Sequence, residues 1–165
     1  MPRLKNQNIN FAIVLRMQGW LLLIEAAFML LPLAISWFYH EPTALRAFIY
    51  SALITAGAGT AMAFGIKPRS SSMHKREGLM LTAIIWVFFS LFGMLPYLFS
   101  STFDNVTDAF FETMAGFTTT GSSVIRYVEE IPHGVLFWRA MTQWIGGMGI
   151  ILFTLAVIPM LNQKG

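Results

Sequence analysis

Apolar residues run through this chain in four long blocks, at about 11–39, 43–66, 78–100 and 135–161, parted by short polar joints. Each block is near or above the ~20 residues that a helix needs to cross a bilayer core. The pattern therefore predicts four membrane-spanning helices. Pro32 lies near the outer end of the first block, and Gly93 and Pro96 interrupt the third. The second is rich in small residues (Ala56, Gly57, Ala58, Gly59, Ala61), and Gly146, Gly147 and Gly149 stand in the middle of the fourth. Such faces let another helix approach closely.

A fifth apolar stretch, Val106–Phe117, lies between the third and fourth blocks and is far too short to cross. Thr107 or Asp104 is expected to cap its start, and Gly116 to terminate it. Nine or ten helical residues rising ~1.5 Å each reach roughly 14 Å, about half the hydrocarbon thickness. The segment can dip to mid-membrane and return.

Composition sharpens this picture. Of 165 residues, 56% are hydrophobic and 12% charged, and there is no cysteine, which excludes disulfides, thiol catalysis and cysteine–metal sites. His40, His74 and His133 have no metal-ligand spacing, and a net charge of +3 is too small and dispersed for nucleic-acid binding. Its meaning is orientation. Arg3, Lys5, Lys67, Arg69, Lys75, Arg76 and Lys164 fall on one side. Arg46 and Arg126 share the other with Glu41, Asp104, Asp108, Glu129 and Glu130. The positive-inside rule then puts both termini in the cytoplasm. Trp20, Trp37, Trp86, Trp138 and Trp144 are expected as interfacial anchors. Residues 1–10 are polar and the apolar run after them is long for a signal peptide, so the first block reads as a permanent span. The organisation expected is a two-span region at 1–66, a solvated cytoplasmic loop at 67–77, and a span–loop–span unit at 78–165.

The short helix leads into Thr118, Thr119, Thr120, Gly121, Ser122 and Ser123. Non-helical backbone at membrane depth is tolerated only where it is buried in protein or faces water. Small, hydroxyl-bearing residues suit a path on which carbonyl and hydroxyl oxygens replace an ion's hydration shell. The negative end of the helix dipole favours a cation there, and Gly121 takes positive φ at little cost. The same residues also fit a structural re-entrant loop or a polar extracellular linker.

Glu112 in the short helix and Arg139 two turns into the fourth span are expected to pair, because a lone charge at such depth costs at least ~2.5 kcal/mol. Glu25, in the middle of the first span, is expected to bond to another helix in preference to a transport role. The glycines at 146, 147 and 149 read as tight packing or as a gating point. No acid, base and nucleophile converge, so no enzyme is expected. The readings are ion translocation, a secondary transporter with a broken helix, or a non-conducting membrane assembly subunit.

The stretch DAFFETMAGFTTTGS at 108–122 resembles the first pore loop of the Trk/Ktr potassium-uptake family, in its TrkH branch. The stretch FWRAMTQWIGGMG at 137–149 is similar to the start of the helix that follows that loop. The resemblance implies an all-α membrane protein in the bacterial inner membrane: two leading spans, then one span–pore loop–span repeat of a potassium-channel-like fold. Four such repeats in one polypeptide would surround a pseudo-fourfold pore. Gly121 would be the single filter glycine, with Thr118, Thr119, Thr120 and Ser122 lending oxygens to potassium, and with Glu112, Arg139 and Gly116 supporting them. Potassium would be cargo, with no organic cofactor. Family members are much longer, so this chain reads as an N-terminal portion supplying a quarter of a filter, and its small-residue faces then read as surfaces for helices that it lacks. Its partners would be the remaining repeats, in the same longer chain or in a homotetramer, together with membrane lipid. A dimeric pore and a cytoplasmic nucleotide-binding regulatory subunit are implied as well.

Overall fold

The computed structural model describes residues 10–67 and 75–162, without the side chains of 75–77, 79 and 152–162. Within these the chain is all helical: α1 Phe11–Phe28, α2 Leu30–Phe38, α3 Pro42–Gly65, α4 Lys75–Gly93, α5 Leu95–Phe99, α6 Val106–Phe117 and α7 His133–Asn162, with a 3-10 turn at Val128–Glu130. Among the described residues, three stretches are long and apolar enough to cross a membrane: Phe11–Phe38, Pro42–Gly65 and Met80–Phe99. The fourth expected span falls on α7, whose side chains beyond 151 lie outside the described residues, as do Arg3, Lys5, Arg69 and Lys164.

Two proline positions shape the long stretches. The first is not one helix but breaks at Met29, one turn before Pro32, which offers no N–H to the carbonyl of Phe28. The third breaks at Met94, between Gly93 and Pro96, as those residues led us to expect. α4 starts at Lys75, inside the segment expected to be loop.

Three helix ends share a stop that no glycine announces. After α2, the N–H groups of His40 and Glu41 bond back to Trp37 and Ser36. After α5, Ser101 and Thr102 bond back to Leu98 and Tyr97; after α6, Thr119 and Thr120 bond back to Gly116 and Ala115. This is the Schellman arrangement, and it places His40, Ser101 and Thr119 at φ of 56°, 54° and 56°.

Close backbone approach organises the packing, as expected where lipid is as apolar as the protein interior. α1 meets α3 at Gly19 and Gly59, where a Cβ on Gly19 would stand 2.8 Å from the Gly59 carbonyl oxygen. Part of the small-residue face expected to await outside helices is thus used within the chain, whereas Gly57 faces open space. α2 crosses α7 where Gly134 touches Ser36, and α6 lies between α4 and α7. An aromatic chain ties these layers: Phe48, Trp138, Phe117 and Phe89 follow one another at centroid distances of 6.4, 6.5 and 5.4 Å. Trp138 is therefore no interfacial anchor. It is fully buried, and its indole N–H donates to the Gly93 carbonyl at 2.9 Å, satisfying an acceptor freed by the α4–α5 break.

Candidate functional site

α6 holds all twelve residues of its expected range and so rises roughly 18 Å, against roughly 14 Å for nine or ten. Its first turn is not capped by Thr107 or Asp104. Asn105 occupies the cap position without a side-chain bond to the backbone, and its amide contacts Asp108 at 3.4 Å. Gly116 does not end the helix. It sits within the last turn, where any side chain would collide with the Thr142 hydroxyl of α7. The turn falls instead on Thr119, a β-branched residue at φ 56°, a conformation that costs about 1–3 kcal/mol and persists only where the surroundings enforce it.

Enforcement comes from both sides of the turn. The Thr118 hydroxyl donates to the Met114 carbonyl at 2.7 Å and lies 2.9 Å from the Thr120 hydroxyl. Phe117, fully buried, has its carbonyl pressed against Gly146, where no side chain fits. Gly146 is thus a packing glycine. Gly147 faces the Thr119 methyl at 3.8 Å from an ideal Cβ, and Gly149 faces Trp86 at 3.5 Å.

Beyond Thr119 the chain runs without regular structure to Ile125, and residues 119–123 are exposed. Gly121 has φ 78° and open space where a Cβ would stand. Among the described residues, no hydrogen bond ends on the carbonyl oxygens of residues 118–122.

The run is moored behind by Glu112. This carboxylate is 2% exposed and gathers Arg139 Nε at 2.6 Å, the Ser123 hydroxyl at 3.0 Å from both oxygens, and the Val124 N–H at 2.9 Å. The Ser123 hydroxyl in turn accepts the Ile125 N–H at 3.1 Å. Glu112 and Arg139 meet as the sequence led us to expect. Ser123 and Val124 were missed as its other partners, although a buried carboxylate with one guanidinium still has lone pairs to fill.

A second carboxylate binds the start of α7. Glu41 accepts the His133 N–H at 2.7 Å, the His133 Nδ1 contact at 2.8 Å and the Gly134 N–H at 3.2 Å, so it caps α7 from 92 residues away. His133 also stacks on Tyr39 at 4.1 Å. Partial burial pushes the Glu41 carboxyl up, but the His133 and Gly134 bonds outweigh it and hold the group below the ordinary range. Sequence gave no sign of this clasp.

Between the 100–103 corner and residues 124–132 lies a cavity of about 500 Å³, lined by Thr43, Ser101, Thr102, Arg126, Tyr127 and Glu130 among others.

The family described as TrkH, cation transport protein, matches residues 41–165. The chain is 32% identical over 158 residues to the Trk system potassium uptake protein TrkH of Salmonella typhimurium, covering 95% of this chain and 32% of that one. It is 34% identical over 156 residues to the Trk system potassium uptake protein TrkI of Halomonas elongata, covering 94% and 32%. Superposed on the crystal structure of the potassium transporter TrkH from Vibrio parahaemolyticus it gives a TM-score of 0.84 at 31% identity, over 90% of this chain and 32% of that one. The chain thus spans about a third of the length of these relatives. It belongs to the TrkH family of cation transport proteins.

Proposed function

We propose that this chain forms part of a potassium-translocating pore in the bacterial inner membrane, with residues 118–122 as one segment of the ion filter. The observation that carries the reading is the exposed run after α6, whose carbonyl oxygens no described donor occupies. Such oxygens can take over the hydration shell of a monovalent cation. The C-terminal end of α6 adds a favourable dipole, and Gly121 supplies a positive φ with no side chain in the way. Buried Glu112 and part-buried Arg139 pair with each other and hold the run from behind.

In this reading α6 is a re-entrant pore helix between two spans, α4–α5 and α7, and α1–α3 supply two leading spans. Both termini are cytoplasmic, because the basic joints lie on that side. One such run is a quarter of a filter ring, and further repeats complete it. The potassium uptake named for the relatives is the activity we assign to the completed assembly, with the family's dimer and nucleotide-binding subunit as partners.

The test is rescue of growth at limiting potassium by the complete gene product. Gly121→Ala should abolish rescue while leaving protein levels intact, since no atom crowds that position and only the positive φ is penalised. Undiminished rescue would refute the filter assignment.

A further inference from the structure

Glu25 does not make the expected bond to another helix. It lies in α1, 1% exposed, and neither carboxyl oxygen has a hydrogen-bond partner among the described residues. Its surroundings are defined by Gly93. A Cβ built there would stand 2.9 Å from Glu25 Oε1, from the Phe117 ring and from the Thr113 methyl. The carboxyl therefore converges with the back of α6 on the α4–α5 break.

Nearby polar groups are committed elsewhere. The Thr113 hydroxyl donates to Ala109 O at 2.7 Å, Gly93 O is taken by Trp138, and the Ser90 hydroxyl contacts Met114 Sδ at 3.4 Å. Gln18, two turns earlier on the same face, also has unpartnered amide atoms, but an amide carries no charge. The ionisable groups on the surrounding elements do not compensate. Arg16 lies on α1 itself, nine residues away. Arg46 and Tyr50 on α3 are exposed, and Lys75, Arg76 and Glu77 stand at the far end of α4. Tyr97 on α5 is buried with an unpartnered hydroxyl, Asp108 opens α6, and Glu112 is bound to Arg139. An ionised carboxylate in this setting has neither a counter-charge nor a donor, whereas a neutral acid needs neither.

We propose that Glu25 is a proton-binding site, occupied in this conformation, and that loss of the proton displaces the Phe117 ring and with it the run that begins at Thr118. An ionised Glu25 has to recruit water or a cation. The wall it must open on this side is Phe117, the last residue of α6. The link to the run rests on the proposed function; the proton site does not.

The complete gene product in lipid nanodiscs provides the test. An infrared difference spectrum, wild type minus Glu25→Gln at pH 7, should contain a carboxylic-acid C=O band that gives way to carboxylate bands only at alkaline pH. Glu25→Leu provides the same subtraction if the amide variant does not accumulate. A difference holding only carboxylate bands at pH 7 would overturn the proton site. In uptake, the wild type should fall several-fold over the alkaline range where the band titrates, and Glu25→Gln should stay flat. Matching alkaline profiles would overturn the link to the run. A titrating band in a protein that moves no potassium would leave the proton site standing and count against the pore reading.

Discussion

Glu112, on α6, and Glu25, on α1 near the back of α6, are both buried, yet the protein treats them in opposite ways. Glu112 is surrounded by a guanidinium, a hydroxyl and a backbone N–H. Glu25 crowds Gly93 together with a methyl and an aromatic ring, and neither of its oxygens has a described hydrogen-bond partner. The difference teaches that burial alone does not define a carboxylate's task. A satisfied one is a fixed strut that sets the position of its donors, here residues 123–124. An unsatisfied one is held only by its proton, so its charge state and the local packing are coupled.

The largest effect is expected at the strut. Glu112→Gln should cost about 3–5 kcal/mol, because it leaves Arg139 part-buried without a counter-charge. Arg139→Gln should cost a similar amount, and the double variant much less than the sum. Denaturant unfolding of the four proteins measures the coupling, and additive losses would show that the pair is not a unit. Glu25→Gln, by contrast, should leave stability nearly unchanged.

A smaller effect separates the glycines. Gly146→Ala should cost about 1–3 kcal/mol, since its Cβ would press on the Phe117 carbonyl and α7 would have to move. Gly57→Ala, with nothing near it, should fall within about 0.5 kcal/mol of wild type. Equal thermal shifts would contradict the tight α6–α7 crossing.

The smallest effect is at the Glu41 clasp. Glu41→Gln should cost about 0.5–2 kcal/mol, the range for a helix cap. The folded-state bonds hold this carboxyl below its unfolded value, so its contribution is complete above the ordinary glutamate pKa of about 4.3. It is lost as pH falls through the lower folded value. Melting temperatures of wild type and variant should therefore differ at pH 7 and converge in acid. A gap that persists in acid would point to packing instead.

Much of this was legible in the sequence because it follows from length and from local chemistry. The apolar blocks, the short α6 and the Glu112–Arg139 pair all arise from the cost of placing polar groups in lipid. What was not legible depends on tertiary contact. Gly116 reads as a helix stop until Thr142 shows why it is a glycine. Thr119, like His40 and Ser101, adopts a conformation that sequence assigns to glycine, because the Schellman bonds of its helix outweigh the local penalty. The Glu41 clasp joins residues 92 apart, and no local pattern encodes it. Trp138 reads as an anchor because it lies toward the end of an apolar block, but its indole N–H is taken by a carbonyl freed at Gly93.

Residues 118–122 are proposed to select the ion. This role is tested most directly by the ratio of potassium to sodium uptake in proteoliposomes of the complete protein carrying Gly121→Ala, with Gly57→Ala as the control glycine. Loss of potassium preference in the first and its retention in the second is the predicted result. An unchanged ratio in Gly121→Ala would contradict the account.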